Sequence, residues 1–176
     1  MRYLLGLIGR AAGLLIVIAM TGCAATYQRS DLAATPVKLD RSQSVLIAMP
    51  ADGSYDGQTY AGSGQSTSLA VRSAFSKFAK STSVAPQCHD LACLTHQAQA
   101  QAGYYVVPEI LHWEERATEW SGKPDRIEIQ ISIYDDRSNE VAATVVSGKS
   151  KWATFGGDHP QDLLPEPVGD YIGSLY

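Results

Sequence analysis

Ile127, Ile129, Ile131 and Ile133 alternate without a break with Glu128, Gln130, Ser132 and Tyr134. A period of two places the isoleucines on one face of an extended strand and the polar side chains on the other, so the strand is covered on one side and wet on the other. The rest of the chain has to supply the cover and the neighbouring strands. Ser121-Gly122-Lys123-Pro124 is a turn signal that joins this strand to Tyr104–Leu111, which is continuously apolar at first and reads as a central strand. Residues 104–134 are therefore expected to form a long antiparallel hairpin. Pro108 has no N–H for a ladder, so an outward position or a bulge is expected there. The nine residues from His112 to Trp120 fit a helix or an extended arm equally well. Asp135 to Asn139 turns the chain again, and Glu140–Lys149, rich in β-branched residues, supplies a further strand.

Upstream, Ser44–Met49 is a short apolar run closed by Pro50, as expected of a strand buried on both faces. A loop of Gly, Ser, Asp and Tyr residues occupies 50–66 and is long enough to bind something. After it, Val71, Ala74, Phe75 and Phe78 recur at helical spacing, with Ser66 or Thr67 as the expected cap and Leu69 the one large apolar residue off that face. Ser81–Ala85 is a short strand candidate. A second helix is expected from His89 or Asp90 to Ala102, ended by Gly103. Pro165 or Pro167 opens a last helix with Val168, Tyr171, Ile172 and Leu175 on one face. The expected fold is α/β: one domain with a mixed five-stranded sheet in the order β-α-β-α-β-β-β-α, helices mainly on one face. Right-handed crossovers make its first three strands parallel.

The amino terminus sets the address. Arg2 and Arg10 bound a short positive segment, and Ala11–Met20 is an uncharged apolar run of ten residues. Ten residues are too few to span a bilayer, which takes about 20 in a helix, so the run reads as a signal-peptide core. It ends in Met20-Thr21-Gly22-Cys23, which resembles a bacterial lipobox. That resemblance implies cleavage before Cys23 and acylation of its thiol and new amino group. Ala24 follows where an Asp would signal inner-membrane retention, so the outer membrane, periplasmic face, is expected. Residues 1–22 are then a signal peptide, 23–42 the lipidated cysteine and a tether, and 43–176 a periplasmic domain. Losing Arg2 and Arg10 leaves 12 basic against 18 acidic residues, a net charge of about −6. Such a chain is not expected to bind nucleic acid, or acidic headgroups, through overall charge.

No complete catalytic set stands out, and neither a metal nor a cofactor is expected. Gly62 and Gly64 precede a helix, but no Lys stands before Ser66 or Thr67, as a P-loop would need. Glu109, Glu114, Glu115 and Glu119 cluster about His112 and read as a solvated acidic arm; Asp158-His159 with the 50–66 loop is the alternative site for a small ligand or a hydrolytic reaction. Cys88 and Cys93 remain after lipidation. In an oxidising compartment they are expected to pair, against the alternatives of free thiols or a zinc site with His89 and His96, and pairing requires Cys88 to lie outside the helix. Trp113, Trp120 and Trp152 with Tyr55 and Tyr60 lie beside polar loops, either as anchors for a protein partner or as plugs at the ends of the sheet.

Three segments carry a family likeness: Met49–Gly64 (MPADGSYDGQTYAGSG), Pro108–Asp135 (PEILHWEERATEWSGKPDRIEIQISIYD) and Gly148–Val168 (GKSKWATFGGDHPQDLLPEPV). Together they resemble domain of unknown function 4823, an uncharacterised family of proteobacterial, largely pseudomonad, lipoproteins. The resemblance brings no catalytic residues with it. The element order is similar at fold level to periplasmic lipoproteins of the curli-secretion, polysaccharide-export and penicillin-binding-protein-activator plan, which assemble rings or dock onto envelope enzymes. The expectation is a non-enzymatic, lipid-anchored module of the cell envelope that binds another envelope protein or itself.

Overall fold

The computed structural model describes residues 25–33, 38–97, 102–116, 123–151 and 159–176. Its main sheet has six strands in the order β1-β8-β7-β6-β2-β5. These are β1 (Thr26–Ala33), β2 (Ser44–Ala48), β5 (Ser81–Ala85), β6 (Tyr104–Glu114), β7 (Arg126–Asp135) and β8 (Glu140–Lys149). Between them lie a two-stranded hairpin, β3 (Ser54–Tyr55) with β4 (Gln58–Thr59), and two of the three helices among the described residues, α1 (Ser63–Phe75) and α2 (Leu91–His96); the third, α3 (Pro165–Leu175), follows β8. A 3₁₀ turn, Pro160–Leu163, leads into α3.

β2 pairs in parallel with both β5 and β6, whereas β6, β7, β8 and β1 are successively antiparallel. The four isoleucines of β7 are 0–1% exposed and meet Val45, Ile47, Phe75, Val106, Val168 and Ile172 in one core beneath α1 and α3. Helix α2 covers the opposite face: Leu94 packs with Ala48, Ala85, Cys88 and Tyr105, beside Leu46 and Val107. Val45 and Ile47 face one core and Leu46 and Ala48 the other, which is why β2 reads as continuously apolar.

Two expectations are corrected. The sheet has six strands because Thr26–Ala33, assigned by sequence to the tether, pairs along β8 from Thr26 opposite Lys149 to Ala33 opposite Ala143. On its helix-facing side Arg29 donates to both carboxylate oxygens of Asp31 at 2.7 Å and to Ser174 Oγ at 3.0 Å, with its guanidinium over the Tyr171 ring. Tyr27 packs against the core at one end of this edge, and polar ties to α3 hold the rest. Secondly, α1 begins at Ser63, ahead of the expected Ser66 or Thr67 cap. Asp52, ten residues upstream, accepts from the backbone N–H groups of Gly62 (3.1 Å) and Gly64 (2.8 Å) and so caps the helix from the preceding loop. Gly62 takes φ +87°, a region open to glycine, and a Cβ on Gly64 would run into the Pro50 carbonyl. Of the two alternatives expected for Pro108, an outward position or a bulge, the structure takes the first, and β6 bulges at Leu111. Pairing with β2 ends at Val106, so Pro108 lies beyond the ladder on that side and needs no bulge.

Candidate functional site

The bulge decides what the end of the sheet presents. Without it, Trp113 would share a face with Val107; with it, Trp113 turns into the helix-side core at 2% exposure, against Gly53 and Ile110. A side chain so enclosed cannot anchor a partner, and the anchor expectation for Trp113 is corrected to a core role. Trp120, Trp152, Cys23 and Asp158 lie outside the described residues.

His112 and Glu114 point to the other face. Glu114 is 2% exposed, within 3.1 Å of His112 Nε2 through Oε2 and ion-paired with the Arg116 guanidinium through Oε1. Of the acidic arm expected to be solvated, Glu109 and Glu115 are exposed and Glu119 lies outside the described residues, but Glu114 is corrected to a buried carboxylate held between His112 and Arg116. Tyr55, half-buried on β3, closes the cluster: its ring meets His112 edge-on at 5.0 Å, lies under Arg116, and its hydroxyl accepts from Arg116 Nη2 at 2.7 Å. Arg116 is further fixed through its backbone N–H, which donates to the buried Asp125 carboxylate at 2.6 Å. A buried carboxylate matched by an arginine fork is the arrangement that keeps a charge inside at tolerable cost. Spacing hides it, because the Tyr55 contact spans 61 residues.

On that same face the register builds two polar rows. Thr26, Lys149, Arg126 and Glu114 stand opposite one another across four strands, and Gln28, Ser147, Glu128 and His112 form the next row. Residues in register share a face, so all eight project together. Seven of them line an open groove of about 400 Å³ with Ile127 and Gly148 at its floor.

A second cleft, of about 450 Å³, opens between the 58–66 segment, Trp113, Glu115 and Gln161. His159 stands nearby, its Nδ1 3.0 Å from Glu115 Oε1. Tyr60 is half-buried along this cleft. Ser63, the hydroxyl nearest to a nucleophile, is buried and donates to the Tyr60 carbonyl at 2.7 Å while accepting from the Gly53 N–H. It is committed to holding the loop.

Cys88 and Cys93 are joined by a disulfide with Cα atoms 5.2 Å apart. Cys88 precedes α2, whose N-cap Asp90 accepts from the Cys93 N–H at 2.8 Å. The bond occupies the Cys93 sulfur, so the zinc alternative loses its thiolate, and the His89 ring is held through Nδ1 to the Met49 carbonyl at 2.6 Å. Among the described residues there is no cluster of three metal-ligating side chains.

Fold and site together define a one-domain mixed α/β protein with a closed helix-side core and a partly open, polar sheet face. The chain belongs to the family DUF4823, a domain of unknown function, whose model matches residues 37–175. No curated protein matches it. Its fold is similar to that of a PelC dodecamer from Paraburkholderia phytofirmans, at 12% identity and a TM-score of 0.63, over 86% of this chain and 96% of that one. A PelC dodecamer with one substitution, from the same organism, gives the same identity and TM-score over 86% and 97%. A DUF330-family protein from Xanthomonas campestris aligns at 16% identity and a TM-score of 0.47, over 81% and 90%.

Proposed function

We propose that this chain is a lipid-anchored protein of the outer membrane's periplasmic face whose domain is an assembly or protein-binding module of the envelope and not an enzyme. The observation that carries the reading is where β1 begins. Thr26 lies three residues after Cys23, so an acylated Cys23 holds the sheet edge within about 11 Å of the membrane surface rather than on a long tether. Copies held so close share one plane and one orientation, which raises their effective concentration for lateral contact. β1 pairs with β8 on one side and is the terminal strand of the sheet on the other, with Leu32 57% exposed, a surface suited to another chain. That the PelC chain, of similar fold, is a dodecamer supports self-assembly as the mode. Of the aromatics expected as anchors, Tyr55 and Tyr60 are described and half-buried, which leaves part of each ring for such contact.

The test is crosslinking in intact cells with native mass measurement of the detergent-extracted protein. Multiples of the chain mass, or one captured envelope protein, are expected, and Cys23→Ser should leave the membrane fraction. A strictly monomeric, uncaptured protein overturns the reading. A second reading, a small-ligand or hydrolytic site using the 50–66 loop with Asp158 and His159, is favoured by the His159–Glu115 contact at the larger cleft. It requires a ligand or substrate whose binding or turnover is lost in Glu115→Gln.

A further inference from the structure

Arg126 and Lys149 stand directly opposite each other on neighbouring strands, both exposed. Like charges in that relation oppose folding, so the sheet alone gives no reason for the pair. Neither has an ion-pair partner among the described residues. One carboxylate, Glu128, lines the groove they flank, and a second, Glu114, stands in register with them but outside its lining. Glu114 is already engaged by Arg116 and His112, and Glu128 sits in the next row between His112 and Ser147. Around the two cations, Thr26, Gln28, Ser147 and His112 offer hydroxyl, amide and imidazole hydrogen-bonding groups. This is a site for one compact anionic group bearing several acceptor oxygens.

Thr26, which lines the groove, is also the first residue of β1, three positions from Cys23. We propose that the groove docks the phosphate of a membrane phospholipid headgroup, seated between Arg126 and Lys149, and so fixes how the anchored domain lies on the membrane. The proposal rests on the acylation of Cys23 put forward above. The headgroup layer is about 5–7 Å deep on each side of the hydrocarbon, and the connecting residues reach about 11 Å, so a groove that includes Thr26 is within range of it. A net negative protein does not gather phosphates by its overall field; a paired cation site a few ångströms across does so locally, because such attraction acts within a Debye length.

The experiment uses the full-length, processed protein reconstituted in vesicles and follows acetylation of Lys149 by a membrane-impermeant reagent, read by mass spectrometry. In phosphatidylethanolamine–phosphatidylglycerol vesicles Lys149 should label about fivefold more slowly than in vesicles of a phosphate-free glycosyl diacylglycerol, the factor expected for one cation at a phosphate surface. Lys77 and Lys80, exposed beyond the other face of the sheet, should label alike in both. Arg126→Gln should bring Lys149 back towards the glycolipid rate with an unchanged near-ultraviolet circular dichroism spectrum. Equal Lys149 rates in the two lipids, with Cys23 acylated by intact mass, overturn the docking while leaving the anchor intact. Protection of Lys149 by inorganic phosphate in detergent to the same degree as in vesicles also overturns it, in favour of a soluble anion. An unacylated Cys23 is seen in the intact mass before any labelling, and removes the anchor and the docking together.

Discussion

Replacing Trp113 with alanine separates a core role from a partner-binding one. The side chain is 2% exposed and packs in the core that holds the β7 isoleucines, with Gly53 so close that a Cβ there would come within 2.6 Å of the Trp113 Cβ. A hole of that size in an interior packed like a crystal closes poorly, and aromatic-to-alanine changes at such sites cost about 3–5 kcal/mol. Against a total stability of about 5–15 kcal/mol, that is a large share. At roughly 2–4 °C per kcal/mol for a domain of this length, the thermal midpoint should fall by about 6–20 °C. Leu69→Ala is the matched control, since Leu69 is 46% exposed and its loss should stay within about 0.5 kcal/mol. Both variants would be followed by urea and thermal unfolding. A Trp113→Ala protein within about 1 kcal/mol of the parent that has lost its crosslinked partner would refute the core assignment.

Asp52→Ala removes the acceptor for two α1 amides and should cost about 0.5–2 kcal/mol in urea unfolding, whereas Asp52→Asn, which keeps an acceptor oxygen, should recover most of it. Gly64→Ala drives a Cβ onto the Pro50 carbonyl and should destabilise by about 1–3 kcal/mol; a neutral result in the same assay would mean that the loop yields. Protein alkylated without reduction should show no blocked Cys88 or Cys93, and the double serine variant should lose at most about 2–3 kcal/mol, because the closed loop is short. The Arg29 hydrogen bond holds the Asp31 carboxyl below its ordinary value of 3.8, and the Asn139 side chain does the same for Asp135. A depressed carboxyl stabilises the fold above its unfolded pKa and ceases to as the pH falls through the folded one, so unfolding midpoints should drop below about pH 4, less steeply in Asp31→Asn.

Much of the fold was legible because the pattern of burial is local. The β7 isoleucines need no partner to declare a face, and the parallel trio follows from helices placed between strands. What escaped rests on contacts far apart in the chain. β1 has no apolar period because an edge strand is wet on one face, and what ties its other face to α3 is an arginine reaching a serine 145 residues away. The α1 start escaped because its cap is an aspartate upstream of a hairpin, not a residue adjoining the helix. One extra residue at Leu111 exchanges the faces of everything after it on β6, turning Trp113 inward and His112 with Glu114 to the polar face.

The site follows the same logic. Neither Arg126 nor Lys149 is notable alone, and they become a pair only when β7 and β8 align and β1 brings Thr26 and Gln28 alongside. That alignment also explains why no helix among the described residues covers this half of the face while α2 covers the β2–β6 half. Leu46, Val107 and Tyr105 give α2 an apolar bed, whereas a helix laid over the polar rows would bury Arg126, Lys149 and Glu128. Each such charge costs several kcal/mol to take out of water unless it is paired. The face is thus kept open by its own composition, and whatever covers it has to meet charge with charge. A headgroup layer or a polar subunit surface can do that, and an apolar helix cannot.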